Sequence, residues 1–138
     1  MKAKPPLNPI YITRLDYDRL LLLVQTERHA HGPERIAALS HELKRAQLVA
    51  PGEVQPDVVT MNSRVRLREL TTRAELEITL VFPPYADIAA RKISILAPVA
   101  TAVLGCRVGD RVDWPLPKGQ ATYCVDAVLH QPEAAGIR

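Results

Sequence analysis

Apolar residues near the start of the chain recur at helical spacing and predict a first helix. Thr13 is a suitable N-cap, and Asp16 follows three positions later, close to the pattern of a capping box. The next apolar positions lie three or four residues apart: Tyr17, Leu20 or Leu21, and Val24. This spacing predicts a helix from about Arg14 to Arg28.

A second helix is predicted from about Pro33 to Val49. Gly32 permits a positive φ and Pro33 suits a first helical turn, so the first helix is interrupted here. Apolar positions then form a narrow seam suited to one partner helix: Ile36, Leu39, Leu43 and Ala46. Two such helices joined by a tight turn predict an antiparallel hairpin with arms of about 23 Å.

The apolar period changes after residue 50, which predicts a two-part organisation. Pro51-Gly52 and Gln55-Pro56 indicate a break and a linker. The chain is therefore expected to divide into a helical hairpin, residues 1–50, and a second domain, residues 51–138.

Two alternating segments in the second domain predict a β-hairpin. Residues 63–70 alternate basic and apolar side chains, and residues 75–82 alternate again. If residues 71–74 form the turn, Arg68 lies opposite Glu77, which predicts an exposed cross-strand ion pair.

The rest of the second domain predicts short strands and one short helix. These elements are a strand over Ile93–Leu96, a helix over Pro98–Leu104 ended by Gly105, a strand over Arg111–Trp114 and a strand over Ala121–His130. The fold class expected is α+β, with an antiparallel sheet that carries one short helix.

Composition and charge limit the function classes. Aromatic residues make up 4% of the chain, too few for a stacking platform for single-stranded nucleic acid. Residues 1–50 hold 8 of the 18 basic and 5 of the 15 acidic residues, so the formal charge of +3 lies there. This mild excess favours a protein partner at least as much as DNA. The longest apolar run, Leu20–Val24, is too short for a membrane span, and a cytoplasmic protein is expected.

Candidate chemistry is sparse. A metal site formed by His29, His31 and His41 is less favoured than exposed turn histidines. Three arginines form a basic strand face that could meet nucleic acid or an acidic protein surface: Arg64, Arg66 and Arg68. A solvated face paired with acidic residues is the simpler interpretation. No catalytic residue, metal site or cofactor is expected.

Several stretches resemble the Gre family of bacterial transcription factors, most closely its Rnk regulators. The resemblance covers nearly the whole chain from about Ile12. It rests on Arg45–Gln47, Asp57–Val65, Ile93–Ala100, Ala102–Gly105, Arg107–Asp110 and Gln131–Gly136. It implies that the hairpin is a coiled coil and that the second domain has an FKBP-like fold. It also implies that this domain docks on RNA polymerase at the rim of the secondary channel, with the coiled coil pointing inward.

The same resemblance implies which residues form the sites. The polymerase-docking loop corresponds to Leu96, Ala97 and Pro98; Gre factors carry roughly Asp or Asn, Ser, Pro there, so only Pro98 matches. In Gre factors, acidic residues at the hairpin tip help hold a catalytic Mg²⁺ for cleavage of backtracked RNA. Here the tip residues are His29, His31, Gly32, Pro33 and Glu34. Only one of these is a carboxylate, and the predicted helices are about half the Gre length.

The expectation is a non-enzymatic regulator that binds RNA polymerase and competes with Gre-type factors without stimulating cleavage. Nucleoside diphosphate kinase is expected as a direct or indirect target. Nucleic acid is expected to be reached only through the polymerase, with no membrane contact and a monomeric state. One alternative is a transcript-cleavage factor that uses Glu27 and Glu34 with polymerase-bound Mg²⁺. Another is a peptidyl-prolyl isomerase, although an aromatic proline pocket is hard to build from Phe82, Tyr85, Trp114 and Tyr123.

Overall fold

The computed structural model describes residues 9–26, 33–116 and 119–136. Within these ranges the helices are α1 (Arg14–Thr26), α2 (Pro33–Arg45) and α3 (Pro98–Val103). The strands there are β1 (Tyr11–Thr13), β2 (Gln47–Val49), β3 (Arg64–Glu69), β4 (Glu75–Val81), β5 (Lys92–Ser94), β6 (Arg111–Leu116) and β7 (Gly119–His130). Short 3₁₀ helices occupy Pro51–Glu53, Pro83–Tyr85 and Ile88–Ala90. Among the described residues no helix is both long and apolar enough to cross a membrane.

The first helix begins where the sequence predicts. Thr13 Oγ1 accepts a hydrogen bond of 3.1 Å from the Asp16 amide, which confirms Thr13 as the N-cap of α1. α1 is described as far as Thr26, so its predicted last turn and the tight turn after it lie outside the described residues. α2 begins at Pro33 as predicted, and Ile36, Leu39 and Leu43 of its apolar seam are buried.

The predicted end of the second helix is wrong, because the chain leaves the helix at Arg45 and becomes extended. Residues Gln47–Val49 form β2, which pairs in parallel with β1. The Gln47 amide donates to the Ile10 carbonyl at 2.9 Å. Pairing with β1, more than 30 positions earlier, satisfies the backbone hydrogen-bonding groups of β2. It also brings the start of α1 and the end of α2 together.

The second part contains a five-stranded sheet in the order β5-β4-β3-β7-β6. The β3–β4 hairpin is confirmed, and β7 pairs antiparallel with both β3 and β6. The predicted all-antiparallel sheet is wrong at one edge, since β5 runs parallel to β4. The segment from Phe82 to Arg91 contains two 3₁₀ turns, which carry the chain back so that β5 starts beside Thr79.

A single apolar cluster joins the helical part to the sheet. Its members come from β1, all three helices and the inner face of the sheet, including Ile12, Leu20, Leu39, Val65, Leu80, Val103 and Val125. α3, the predicted short helix, lies in this core, and Gly105 follows it with φ +78°. The Gly105 carbonyl accepts from the Tyr11 amide at 3.1 Å. The close approach of the N-terminal strand therefore fixes how the two parts meet.

Candidate functional site: the docking loop and the base of the helices

The loop before α3 presents one exposed proline on a buried base. Leu96 is 2% exposed, Ala97 is half-buried, and Pro98 is exposed at the first position of α3. Proline suits this position because its missing N–H and fixed φ match the start of a helix. Of the three residues expected in the docking loop, only Pro98 is therefore exposed to a partner.

Hydrogen bonds on both sides of Pro98 hold this loop in one conformation. Ser94 accepts twice, from the Leu96 amide at its hydroxyl (3.1 Å) and from the Ala97 amide at its carbonyl (2.9 Å). Thr101 of α3 donates its hydroxyl to the Ile95 carbonyl and its amide to the Ala97 carbonyl. The loop is thus preorganised, so a partner that binds it has little backbone entropy to remove.

The structure describes only part of the expected hairpin tip. Pro33 and Glu34 are exposed at the start of α2, with Glu34 in its first turn. His29, His31 and Gly32 lie outside the described residues, as does Glu27. His41 is exposed on α2, and no group of three metal-ligating side chains occurs among the described residues.

The basic strand face of β3 is largely neutralised by acidic neighbours. Arg66 Nε donates to Asp126 at 2.9 Å, and Arg68 Nη2 donates to Asp126 at 3.2 Å and to Glu75 at 2.8 Å. The hydrogen bond from Arg66 lowers the pKa of Asp126 below its ordinary value. Arg64 at the end of the strand is exposed. The solvated interpretation of this face therefore fits its contacts better than a free basic stripe.

The predicted Arg68–Glu77 pair is wrong, because the hairpin register differs by two residues. Arg68 lies opposite Glu75, and Glu77 lies opposite Arg66. The four-residue turn lies one position earlier in the chain than predicted. The Glu69 amide donates to the Ala74 carbonyl, so the turn comprises residues 70–73 rather than 71–74. A register shift of two residues keeps every side chain on its predicted face of the sheet. Arg68 therefore still forms a cross-strand ion pair, with Glu75 in place of Glu77.

Asp16 has a role that the sequence analysis missed. Its carboxylate accepts from the buried Met61 amide at 3.2 Å, 45 positions along the chain. Burial raises the pKa of Asp16 to about 6, and the negative charge of Glu133 acts in the same direction. An acidic residue at the third position of a helix is also typical of a capping box. The local sequence therefore does not predict the long-range contact with Met61.

A cleft of about 310 Å³ lies at the base of the helices. Its walls come from α1, the segment before β3 and the chain end: Leu15, Asp16, Arg19, Pro51, Met61, Asn62, His130, Pro132 and Glu133. It contains two carboxylates, Asp16 and Glu133, together with Arg19 and His130. The cleft thus marks the joint between the helical and sheet parts.

Two of the resemblance-bearing stretches meet beside this cleft. Gln131 Nε2 donates to the Gln55 carbonyl at 2.7 Å and to the Val58 carbonyl at 2.8 Å. The Thr60 hydroxyl donates to Glu133 Oε1 at 2.7 Å. Segments 57–65 and 131–136 are therefore in contact, and these hydrogen bonds stabilise the fold.

Comparisons with known proteins agree with this architecture. Residues 41–129 match the family described as "Transcription elongation factor, GreA/GreB, C-term", and residues 8–49 match the family described as "Rnk N-terminus". The "Regulator of nucleoside diphosphate kinase" of Escherichia coli K12 is 45% identical over 129 residues, 92% of this chain and 93% of that protein.

Elongation factors of the same family also match this chain. The transcription elongation factor GreA of Clostridium acetobutylicum is 33% identical over 94 residues, 68% of this chain and 60% of that protein. A solved structure, the prokaryotic transcription elongation factor GreA/GreB from Nitrosomonas europaea, is 41% identical. Its TM-score is 0.72, over 88% of this chain and 98% of that chain. The chain belongs to the GreA/GreB family, carries a Rnk-type N-terminal region, and is a regulator of the transcription-factor type.

Proposed function

We propose that this protein is a non-enzymatic regulator that binds RNA polymerase near its secondary channel and competes there with Gre-type factors. Residues 51–138 act as the FKBP-like docking domain in this proposal, and residues 1–50 as the coiled-coil arm that enters the channel. The family match over residues 41–129 supports the choice of partner. The single structural observation that supports this docking surface is the exposed Pro98 on its preorganised loop.

The short arm supports regulation without transcript cleavage. Each described helix has 13 residues, which corresponds to an arm of about 20 Å. Arms twice as long would carry the tip roughly 20 Å further, a gap that no side chain spans. Glu34 is the one carboxylate among the tip residues, whereas Mg²⁺ binding favours several oxygen ligands.

Action on nucleoside diphosphate kinase then follows through transcription. The relative from Escherichia coli carries that kinase in its name, and this chain spans 93% of that relative. A regulator that occupies the polymerase channel alters expression without contacting the kinase. We place this action in the cytoplasm, where RNA polymerase works.

The test uses a backtracked RNA polymerase elongation complex and a Gre factor. The protein is expected to cause no cleavage alone and to suppress Gre-stimulated cleavage as its concentration rises. Pro98→Asp should abolish the suppression, because it places a charge on the docking surface while an acidic residue remains compatible with a helix start. Pro56→Asp, at another exposed proline, is the matched control and should suppress cleavage like the unaltered protein.

Two outcomes would contradict the proposal. Cleavage by this protein alone would make it a Gre-type factor, and Glu27 and Glu34 would be the first residues to substitute. Absence of both cleavage and suppression would count against the channel, and direct binding to nucleoside diphosphate kinase would be measured next.

A further inference from the structure

The segment between β4 and β5 exposes two large apolar side chains. Tyr85 is 69% exposed and Ile88 is 84% exposed, more than any other large apolar side chain among the described residues. Both belong to short 3₁₀ turns, and the alanines beside Ile88 are exposed as well. An apolar surface of this kind on an ordered segment is typical of a protein contact.

Backbone hydrogen bonds hold this segment in a fixed shape. Asp87 and Lys92 form a two-way bridge, each amide donating to the other carbonyl at 2.9 Å. The Tyr85 amide donates to the Phe82 carbonyl at 2.9 Å, and the Arg91 amide donates to the Ile88 carbonyl at 2.9 Å. The two apolar side chains therefore stand on a preorganised base, which lowers the entropy lost on binding.

The same edge of the sheet carries this segment and the docking loop. β5 runs parallel to β4 with Val81 beside Ser94, so the chain leaves both strands side by side, towards Pro83 and towards Leu96. The 3₁₀ turns then contact β5 along its length. Three residues of strand measure about 10 Å, and a standard interface covers about 800 Å² on each partner. One partner surface can therefore cover both features.

The charge beside the apolar pair indicates what this partner surface contains. Arg91 and Lys92 are exposed, and no ion pair is found for either within the described ranges. Asp87 of the same segment accepts from the Ala90 amide at 3.4 Å and caps the short turn. A complementary surface would offer an apolar pocket bordered by acidic side chains.

We propose that Tyr85 and Ile88, flanked by Arg91 and Lys92, form a second contact that seats in an acid-bordered apolar pocket of RNA polymerase beside the site of the docking loop. This inference rests on the proposed function, because it names the same partner. The aromatic ring supplies the anchor, since Tyr is enriched among the residues that dominate binding energy. The two cations supply orientation and speed of association.

The test measures binding of the full-length chain to RNA polymerase core enzyme by fluorescence anisotropy. The double variant Tyr85→Ser, Ile88→Ser should bind about tenfold more weakly, the loss expected for a central apolar anchor. Its thermal unfolding should be unchanged, since both side chains are exposed. Arg91→Glu is a second variant outside the apolar pair, and it should weaken binding most at low salt.

A matched control separates this surface from general surface hydrophobicity. Val108 is 43% exposed in the turn before β6, at the opposite edge of the sheet, and Val108→Ser should leave the affinity unchanged. If the unaltered protein binds and both the double variant and Arg91→Glu bind equally well, the second contact is refuted while the proposed function stands. If the unaltered protein does not bind polymerase, the proposed function fails first and this inference falls with it.

Discussion

The joint between the helical and sheet parts and the β3–β4 hairpin are held by different kinds of contact. At the joint, the decisive partners are far apart in the chain, as Asp16 and Met61 or Tyr11 and Gly105 are. In the hairpin, Arg68 and Glu75 are seven positions apart, and alternation alone sets their face. Contacts at the joint therefore depend on tertiary structure and involve buried groups, whereas the charges of the hairpin are partly exposed to solvent.

The largest expected effect is at Gly105. Gly105→Ala should lower the free energy of unfolding by about 2–4 kcal/mol, because a Cβ there would lie 2.8 Å from the Ile10 Cβ at φ +78°. Urea unfolding measures this loss. Gly109→Ala is the control: it shares a positive φ, with nothing within 4 Å of the added Cβ, so it should lose only about 1 kcal/mol. Equal losses would show that strain, not the close approach of β1, limits this position.

The next effect is at the chain end beside the cleft. Gln131→Ala should cost about 2 kcal/mol, since it leaves the Gln55 and Val58 carbonyls without their side-chain donor. The same urea titration applies, and Gln120→Ala, an exposed glutamine on β7, should change stability by less than about 0.5 kcal/mol. If Gln131→Ala leaves the free energy of unfolding unchanged, the Gln131 side chain does not stabilise the joint.

Asp16 makes the stability of the joint depend on pH. A folded-state pKa of about 6, above the ordinary 3.8, means that the folded protein binds the proton more tightly. The associated stability is complete below about pH 4 and is lost as the pH rises through about 6. Asp16→Asn should therefore be more stable than the unaltered protein at pH 8, by about 1–2 kcal/mol, and the advantage should vanish near pH 4.

Urea unfolding at several pH values tests this expectation. Asp18→Asn, which removes an exposed carboxylate from the same helix, is the matched control for exchanging an acid for an amide on α1. A pH-independent difference between Asp16→Asn and the unaltered protein would mean that ionisation of Asp16 does not oppose folding.

The smallest effect belongs to the hairpin. A double-mutant cycle on Arg68 and Glu75 should give a coupling of about 0.2–1 kcal/mol, because both side chains are partly exposed. The same cycle on Arg68 and Glu77 should give none, since those residues are not cross-strand partners. Coupling to Glu77 instead would restore the register expected from the sequence and contradict the one described here.

Sequence patterns were most reliable where the physical cause is local. The Thr13 cap, the buried seam of α2 and the proline that opens α3 each follow from a few neighbouring residues. The loop expected to dock on a partner was chosen through resemblance, and the structure adds that Pro98 is its exposed residue. The hairpin turn shows the limit of local patterns, because alternation fixes the face of Arg68 but not its register.

The starts of α1, α2 and α3, the buried seam of α2 and the resemblance to the GreA/GreB family all follow from the amino-acid sequence. Tertiary structure alone decided where α2 ends, which direction β5 runs, and what Asp16 binds. These three outcomes share a physical reason. Each depends on pairing a backbone group with a partner distant in the chain, and the free energy of that pairing overrides helix propensity and capping preferences, which contribute about 1 kcal/mol or less per residue.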